Sequence, residues 1–428
     1  MTPAAYVAWP SVARCPHRTP PVRFLSVAVV SSRFVGRLAT SETLPWVMIC
    51  VLWILIVVAQ PPAAKQGDVL RFYQIAHGGT PYVDQQVEYP PVETAVVRVV
   101  GAGSLAATAL ILSLINAIAT VVTWQLLGRH WGRSVAKWFL WFCLPLQVFM
   151  PFRLDAVPVA LTVAAIVLAD RQRATAGGVT WATAALFKVW PAVLLPLLVI
   201  KRQIRTLWVA LVCLAVGLIV WIAVSGPSAV RQVESFRGAA GWHIESVFGV
   251  MASFVSHEAP RVEAGASRVG YVTGWETTSL RLLTLFLIAL AWWIARRRAV
   301  DPAGGPSLAS LASLLVLSPL ASPQYVLWLL PSAAIVTVER RPRDVKILSV
   351  GAAFFAGSVF LVYWGDPYAV RTLLILAAAR GACIIGLAVI GFTHRVAQMG
   401  ADHPCAAPSL HRAGNDTDVI RDEHGPQR

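Results

Sequence analysis

A segment rich in acids and tyrosines, residues 67–91, carries groups that could do acid–base chemistry. It packs four acidic or basic residues, three tyrosines and three prolines into 25 positions, directly after a long apolar run. Asp68 lies eight residues beyond Gln60, where that run ends. If the run crosses a membrane, the Asp68 carboxylate must stay close to the membrane surface, where it can accept a proton from an incoming hydroxyl.

The composition indicates that the run does cross a membrane. The 428-residue chain is 57% hydrophobic and 13% charged, with a mean hydropathy of +0.64. Soluble domains carry about 25% charged residues, so we expect a polytopic membrane protein and exclude disordered, disulfide-stapled and fibrous classes. The net charge of +15 comes from short clusters between apolar runs. Such clusters set orientation in a membrane, and no nucleic-acid partner is expected.

The apolar runs predict an all-α, polytopic transmembrane helical bundle with about eight full spans. A span takes roughly 20 apolar residues, and residues 92–102 are expected at the interface. The domain organisation is a basic cytoplasmic arm at 1–42, a transmembrane domain at 43–393 and a disordered cytoplasmic tail at 394–428. The predicted spans are 44–60, 103–127, 135–151, 156–170, 206–224, 278–295, 347–364 and 371–393.

Two further apolar segments contain internal prolines and predict re-entrant helical hairpins. Residues 178–200 carry Pro191 near the middle, and residues 306–338 carry Pro319 and Pro323. Proline removes a backbone donor and breaks a helix. A broken helix at membrane depth is tolerated only where protein or a water-filled cavity covers it. Each segment is therefore expected to start and end on the same side.

The distribution of charge supports this topology. With the N-terminus inside and both segments drawn as hairpins, 24 of the 36 Lys and Arg residues lie in inside loops, as the positive-inside rule requires. Of the 21 acidic residues, 11 then lie outside, where they occur together with a few bases and many aromatics. The outer pieces are the loop 61–91, the turn 152–155, the tip near Lys188, the loop 226–277, the tip near Gln324 and the loop 365–368.

Short motifs in these outer pieces resemble glycosyltransferase family 87, integral membrane enzymes of the GT-C superfamily that use polyprenyl-phosphate sugars. The resemblance covers roughly residues 44–392, and five motifs occur in the expected order. They are the segment from Asp68 to Pro91, Arg153-Leu-Asp155, Lys188-Val-Trp190-Pro191, Glu245-Ser-Val-Phe-Gly249 and Ser322-Pro-Gln324-Tyr325-Val-Leu-Trp328.

The resemblance implies a GT-C-like fold and a catalytic acid in the first outer loop, which corresponds to Asp68. Its role would be general base on the acceptor hydroxyl, with inversion at the sugar carbon. Glu88 and Asp84 are the alternative bases. The implied activity is hexosyl transfer, with mannose as the expected sugar, to an envelope glycolipid or lipoglycan at the extracytoplasmic face of the plasma membrane.

A polyprenyl phosphate leaving group needs positive charge, which Lys or Arg supplies through charge-assisted hydrogen bonds. Lys188 is the first candidate, because a lone cation in an apolar hairpin is expensive and functional by default. An ion pair with Asp155 or another outer acid is the alternative for Lys188, and pairing with Asp155 is the alternative for Arg153. Arg237 and His243 are further candidates that could be ordinary loop residues.

Contacts to the sugar or acceptor are expected from Tyr89, Trp190, Glu245, Gln324 and Tyr325, although aromatics beside proline can equally shape loops. No metal and no cofactor are expected beyond the lipid-linked donor. Arg380, ten residues into the last span, should face the bundle interior and form a pair. An arabinosyltransferase with another polyprenyl donor is the alternative enzyme. A transporter is the alternative from another class, because broken helices and charges at membrane depth also mark transporters.

Overall fold

The computed structural model of the protein describes residues 43–59, 68–237, 241–256, 259–263, 266–298, 300–339, 342–365 and 369–394. The predicted arm at 1–42, most of the loop 365–368 and the tail beyond residue 394 lie outside these residues. The α-helices are α1 (Thr43–Ala59), α2 (Val69–His77), α3 (Pro91–Val100), α4 (Leu105–His130), α5 (Arg133–Cys143), α6 (Ala156–Asp170), α7 (Ala174–Phe187), α8 (Pro196–Ile200), α9 (Ile204–Ser225), α10 (Ser228–Arg237), α11 (Val247–Ser256), α12 (Gly274–Arg297), α13 (Gly305–Leu317), α14 (Leu330–Glu339), α15 (Pro342–Gly365) and α16 (Val370–Thr393).

Five of these helices, α4, α9, α12, α15 and α16, are long and apolar enough to cross a membrane. They turn much of their apolar surface outward: only 11% of the most apolar window of α9 is buried, and 17% of that of α12. A polar solvent would penalise such exposure, so lipid is the natural surrounding. The prediction of a helical multi-pass membrane protein is confirmed. The count of eight spans stays a prediction, because α1, α5 and α6 are shorter.

The first proline-containing segment is a hairpin, as predicted. Helix α7 ends at Phe187, and an extended Lys188 precedes a 3-10 turn at Trp190–Leu194 and the short α8. The Trp181 indole donates a hydrogen bond across the hairpin to the Pro191 carbonyl (3.0 Å). The hairpin ends at Lys201, whose Nζ lies 2.8 Å from the Asp170 carboxylate. Asp170 is the last residue of α6 and lies shortly before the start of α7. The segment therefore returns to the end of the bundle from which it started.

The second segment follows the same plan. Helix α13 ends at Leu317, and the tip passes through residues 318–322 into a 3-10 helix at Pro323–Leu329, after which α14 returns. The two ends of this hairpin lie together, because a Cβ built on Gly304 would come 3.2 Å from a carboxylate oxygen of Glu339. The prolines at the tip interrupt the helix at the level where the loops of the bundle meet.

A polar cluster, which we call the anchoring cluster, joins the ends of both hairpins. It consists of His130, Asp170, Lys201 and Asp301. The Asp170 carboxylate lies 2.9 Å from His130 Nε2 and 2.8 Å from Lys201 Nζ, and Lys201 also lies 3.4 Å from Asp301. His130 ends α4, Asp170 ends α6, Lys201 ends the first hairpin, and Asp301 precedes the second hairpin. One set of ion pairs therefore fixes four segments at this end of the bundle.

A separate apolar core lies at the other end, beneath the first loop. Val69, Phe72 and Ile75 of α2 and Val97 and Val100 of α3 are buried in it. The same core takes in three side chains from the turn 152–155 and the first hairpin, namely Phe152, Leu154 and Phe187. Because these three are the chain neighbours of Arg153 and Lys188, apolar packing brings both cations to the first loop.

The loop between α10 and α12 contains a small sheet, which the all-α prediction did not include. Its three antiparallel strands, β1 (Trp242–His243), β2 (Arg261–Glu263) and β3 (Ala266–Val269), lie in the order β1-β3-β2. Trp242 pairs with Val269, and Arg261 pairs with Arg268. Beyond the apolar runs the backbone needs other hydrogen-bond partners, and this loop supplies them by pairing with itself.

Replacing Asp170 with Ala should lower the melting temperature of the purified protein in detergent. The change leaves Lys201 with only its longer contact to Asp301 and removes a half-buried acceptor, which costs about 1–3 kcal/mol. Thermal unfolding followed by intrinsic tryptophan fluorescence measures the effect. Asp344→Asn, at an exposed acid in the first turn of α15, is the control, and equal melting of the two variants would contradict the anchoring role.

Candidate active site

The predicted base and a predicted phosphate ligand form an ion pair with each other. Asp68 directly precedes α2, and its Oδ1 accepts a hydrogen bond from Nη1 of Arg153. The Asp68 side chain is 20% exposed and that of Arg153 is 16% exposed, so the pair lies at the edge of the buried region. Arg153 thus pairs with Asp68 and not with its near neighbour Asp155.

Lys188 forms a second, deeper ion pair with an acid that sequence reasoning did not single out. Its Nζ lies 2.9 Å from Oε1 of Glu93, whose side chain is 1% exposed. The same ammonium lies 5.2 Å from the ring centre of Tyr89, within the range of a cation–π interaction. The alternative of an ion pair for Lys188 is therefore realised, with Glu93 as the partner in place of Asp155.

Asp155 instead accepts a hydrogen bond from the indole of Trp328 (3.1 Å). Trp328 lies at the centre of an aromatic stack. Trp190 of the first hairpin lies parallel to it, with ring centres 5.4 Å apart, and Tyr325 lies on it at 4.2 Å. The stack joins the tips of the two hairpins beside the charged pairs. We call Asp68, Arg153, Glu93, Lys188, Asp155, Tyr89 and this stack the charged centre.

The alternative bases Asp84 and Glu88 are already bound to neighbours in their own loop. Asp84 is exposed and caps a turn, where Oδ2 accepts from the Thr80 amide (2.7 Å). Glu88 forms a two-point ion pair with Arg71, at 3.0 and 2.7 Å. Among the described contacts, neither carboxylate reaches Arg153 or Lys188, as those of Asp68 and Glu93 do, so we place both acids at the rim of the centre.

Tyr82 organises the loop that carries these residues. It is one of three non-glycine residues with a positive φ (68°) in the described part of the chain, a conformation that costs energy and is maintained by its surroundings. Its hydroxyl donates to the Tyr89 carbonyl (2.5 Å) and contacts Thr94 Oγ1 (2.6 Å). Burial raises the pKa of both Tyr82 and Tyr89, so both phenols stay protonated near neutral pH.

A second buried group of charges joins the large loop to the last helix. Arg380 Nη1 lies 3.1 Å from Oε2 of Glu245, and its Nη2 donates to the Glu245 and Ala321 carbonyls. Tyr363 donates to the other Glu245 oxygen (2.9 Å). The prediction that Arg380 faces the interior and is paired agrees with this geometry. The Glu245 carboxylate is occupied by Arg380 and Tyr363, a structural engagement that the sequence did not indicate.

His243 is buried beside this group, and burial lowers the pKa of its imidazole. Its Nδ1 has no hydrogen-bond partner among the described residues. The chain turns tightly after it: a Cβ on Gly249 would overlap the His243 carbonyl at 1.8 Å, so only glycine fits there. Arg268 is also fully buried in this loop. The side chain of Arg237 lies outside the described residues.

The tip of the second hairpin is shared by both charged groups. Ala321 accepts from Arg380, and four to seven residues later Tyr325 and Trp328 enter the aromatic stack. Between them Gln324 is buried and accepts a hydrogen bond from Ser322. A short piece of chain thus connects the charged centre to the Glu245–Arg380 pair.

The structure brings most of the predicted residues into two adjoining groups. The charged centre holds Asp68, Lys188, Arg153, Tyr89, Trp190 and Tyr325, and the second group holds Glu245 and His243, with Gln324 between them. Sequence reasoning missed the buried acid Glu93 and the bond from Trp328 to Asp155. The centre offers a carboxylate at its edge, two cations and aromatic faces, a set that can move a proton and bind an anionic group next to a ring.

Within the described residues no group of three or more His, Cys, Asp or Glu side chains could hold a metal ion.

Comparison with known proteins gives a match to a family model and a low-similarity match to a solved structure. The model of glycosyltransferase family 87 matches residues 88–323, more than half of the chain. The crystal structure of ArnT from Cupriavidus metallidurans bound to undecaprenyl phosphate is similar at 14% identity, with a TM-score of 0.35, over 82% of this chain and 76% of that one. No curated protein sequence matches the chain.

Replacing Arg380 with Met should lower the melting temperature strongly. Breaking a buried ion pair from one side costs about 3–5 kcal/mol, because it leaves the other charge buried without a partner. Adding Glu245→Gln to Arg380→Met should restore part of the loss, which thermal melts of the single and double variants measure. Arg281→Met, in the exposed pair with Glu234, is the control. Strictly additive effects of the two buried changes would contradict the coupling.

Proposed function

The chain belongs to glycosyltransferase family 87, and from this premise we propose that it transfers a sugar from a polyprenyl-phosphate donor to an envelope glycolipid or lipoglycan. The sugar we propose is mannose, which makes the enzyme an α-mannosyltransferase. We place the reaction at the extracytoplasmic face of the plasma membrane. The observation that carries the proposal is the meeting of Asp68, Arg153 and Lys188 at one end of a lipid-facing helical bundle.

Asp68 is the general base in this proposal. Its side chain is partly exposed, so an acceptor hydroxyl can approach it. The hydroxyl oxygen attacks the anomeric carbon of the sugar while its proton passes to the Asp68 carboxylate. The bond from that carbon to the phosphate oxygen breaks, and both electrons leave with the polyprenyl phosphate. One displacement inverts the anomeric carbon, so a β-linked donor gives an α-linked product.

The cations of the charged centre bind the donor phosphate in this scheme. Departure of the sugar adds negative charge to the phosphate, and charge-assisted hydrogen bonds stabilise that change. Arg153 already contacts Asp68, and it can therefore place the phosphate close to the base. Lys188 lies deeper, at the tip of the first hairpin, where little water competes for it.

The aromatic residues of the centre are suited to a sugar ring. Tyr89, Trp190 and Tyr325 offer flat faces beside the two cations, and Gln324 offers an amide. His243 and Glu245 support this side of the site through the second hairpin tip. The His243 amide donates to the Pro319 carbonyl (3.0 Å), and Glu245 binds Arg380, which donates to the Ala321 carbonyl. No further cofactor enters the scheme, since the lipid-linked donor supplies the energy of transfer.

Replacing Asp68 with Asn should abolish sugar transfer and leave the protein level in membranes unchanged. The amide keeps the size of the side chain but cannot take the proton, and loss of general-base catalysis typically costs 10²–10⁴-fold in rate. Membranes containing the protein are incubated with radiolabelled polyprenyl-phosphate mannose or arabinose, and label in the lipid fraction is counted.

Asp84→Asn, at the exposed acid of the same loop, is the matched control for that assay. Transfer of arabinose alone would replace mannose in the proposal. Normal transfer by Asp68→Asn would exclude Asp68 as the base, and uptake of label without transfer would favour a transporter.

A cysteine placed at position 68 should react with a membrane-impermeant maleimide in intact cells. The proposed topology puts this residue outside the membrane, just beyond α1. A variant lacking the six native cysteines is the background, and a cysteine at position 171, after α6 at the opposite end, is the control expected to react only in inverted vesicles. The reverse pattern would overturn the placement of the site.

A further inference from the structure

Glu93 is a buried acid with only half of its carboxylate engaged. It is the third residue of α3, a ten-residue amphipathic helix too short to cross a membrane. Its Oε1 contacts Lys188 at 2.9 Å, whereas its Oε2 is buried and has no hydrogen-bond partner among the described residues. A carboxylate oxygen buried without a donor is costly in its charged form, so this group favours its protonated state.

The balance of charges around Glu93 also favours its protonated state. Lys188, Asp155 and Asp68 act on it electrostatically, and the phenols of Tyr82 and Tyr89 lie close enough to respond to its charge. The charged centre therefore sets three acids, Asp68, Glu93 and Asp155, against two cations, Lys188 and Arg153. Arg71 does not alter this balance, because Glu88 pairs with it.

A donor phosphate would bring further negative charge into a centre that already has an excess of acids. The ammonium of Lys188 cannot serve the phosphate fully while it neutralises Glu93. One proton on Glu93 resolves both problems, because it removes the excess negative charge and releases Lys188.

We propose that a lipid-linked phosphate binds with Glu93 protonated, a solvent proton being taken up wherever the carboxylate is still ionised, so that the ammonium of Lys188 contacts the phosphate in place of the Glu93 carboxylate. No covalent bond other than the O–H bond of Glu93 forms, and the proton returns to solvent when the phosphate leaves. Glu93 is thus a positioning residue that acts through Lys188, and this inference rests on the proposed function of Lys188 as a phosphate ligand.

The pH dependence follows from the direction of the shift. Burial raises the pKa of Glu93 to about 8, with the charge of Lys188 opposing the rise. Phosphate binding requires the protonated carboxyl, so affinity is full below this pKa and is lost as the pH rises through it. The loss approaches about tenfold for each further pH unit.

The test measures direct binding of undecaprenyl phosphate to the detergent-solubilised full chain. Isothermal titration calorimetry gives the Kd at several pH values between 8 and 9.5. In this range the phosphate itself stays a dianion, because its second pKa lies near 6. The wild type should bind with a Kd that rises with pH, and Glu93→Gln should bind tightly with a nearly constant Kd. Glu234→Gln, at an exposed acid of α10, should keep the wild-type profile.

Three results would overturn the inference: Glu93→Gln with the slope of the wild type, Glu93→Gln with weak binding at every pH, or a wild type that does not bind the probe. The second result would mean that a charged Glu93 is needed to place Lys188. Lys188→Gln should weaken binding throughout the range. Because binding needs no sugar transfer, a failed transfer assay with intact phosphate binding would reject the proposed activity and leave this inference standing.

Discussion

Burial of charge at one end of a lipid-facing bundle is the constraint on which the rest of the structure depends. A charge taken out of water is costly unless a partner and further hydrogen bonds compensate it. The chain meets this requirement by pairing Asp68 with Arg153, Glu93 with Lys188 and Glu245 with Arg380. Each pair joins segments far apart in the chain, so the same contacts that neutralise the charges also assemble the site.

The broken hairpins explain how such pairs can form at all. In a continuous helix, the residues at positions 188 and 324 would be ordinary side chains on the surface of a regular helix that crosses the bundle. Prolines end the helices early, and each tip presents its side chains where the loops meet. The anchoring cluster at the opposite end fixes the ends of the hairpins, so the tips are positioned from both directions.

The sequence allowed the architecture to be predicted well because the apolar runs, prolines and basic clusters are local signals. Runs of apolar residues located the helices, and the clusters at 201–205 and 296–298 argued for hairpins that return. The candidate base and cations followed from their unusual surroundings. The small sheet at 242–269 was missed because its strands are two to four residues long, too short for a clear alternating pattern.

Partner choice was beyond the reach of the sequence, because tertiary packing decides which acid meets which base. Pairing with Asp155 was the alternative considered for Arg153 and, together with other outer acids, for Lys188, yet Asp155 accepts a bond from Trp328. Glu93 did leave a local signal. It shares the spacing of Val97 and Val100 and therefore lies on the buried face of α3, which makes an acid at that position conspicuous.

The short chain from Ala321 to Trp328 has a mechanical consequence. Since Arg380 binds one end of it and the aromatic stack binds the other, the last helix and the charged centre cannot relax independently of each other. Tilting or sliding of α16 in the bilayer therefore also displaces residues 321–328 and the aromatic rings beside Lys188. The geometry of the site therefore depends on the thickness of the surrounding lipid.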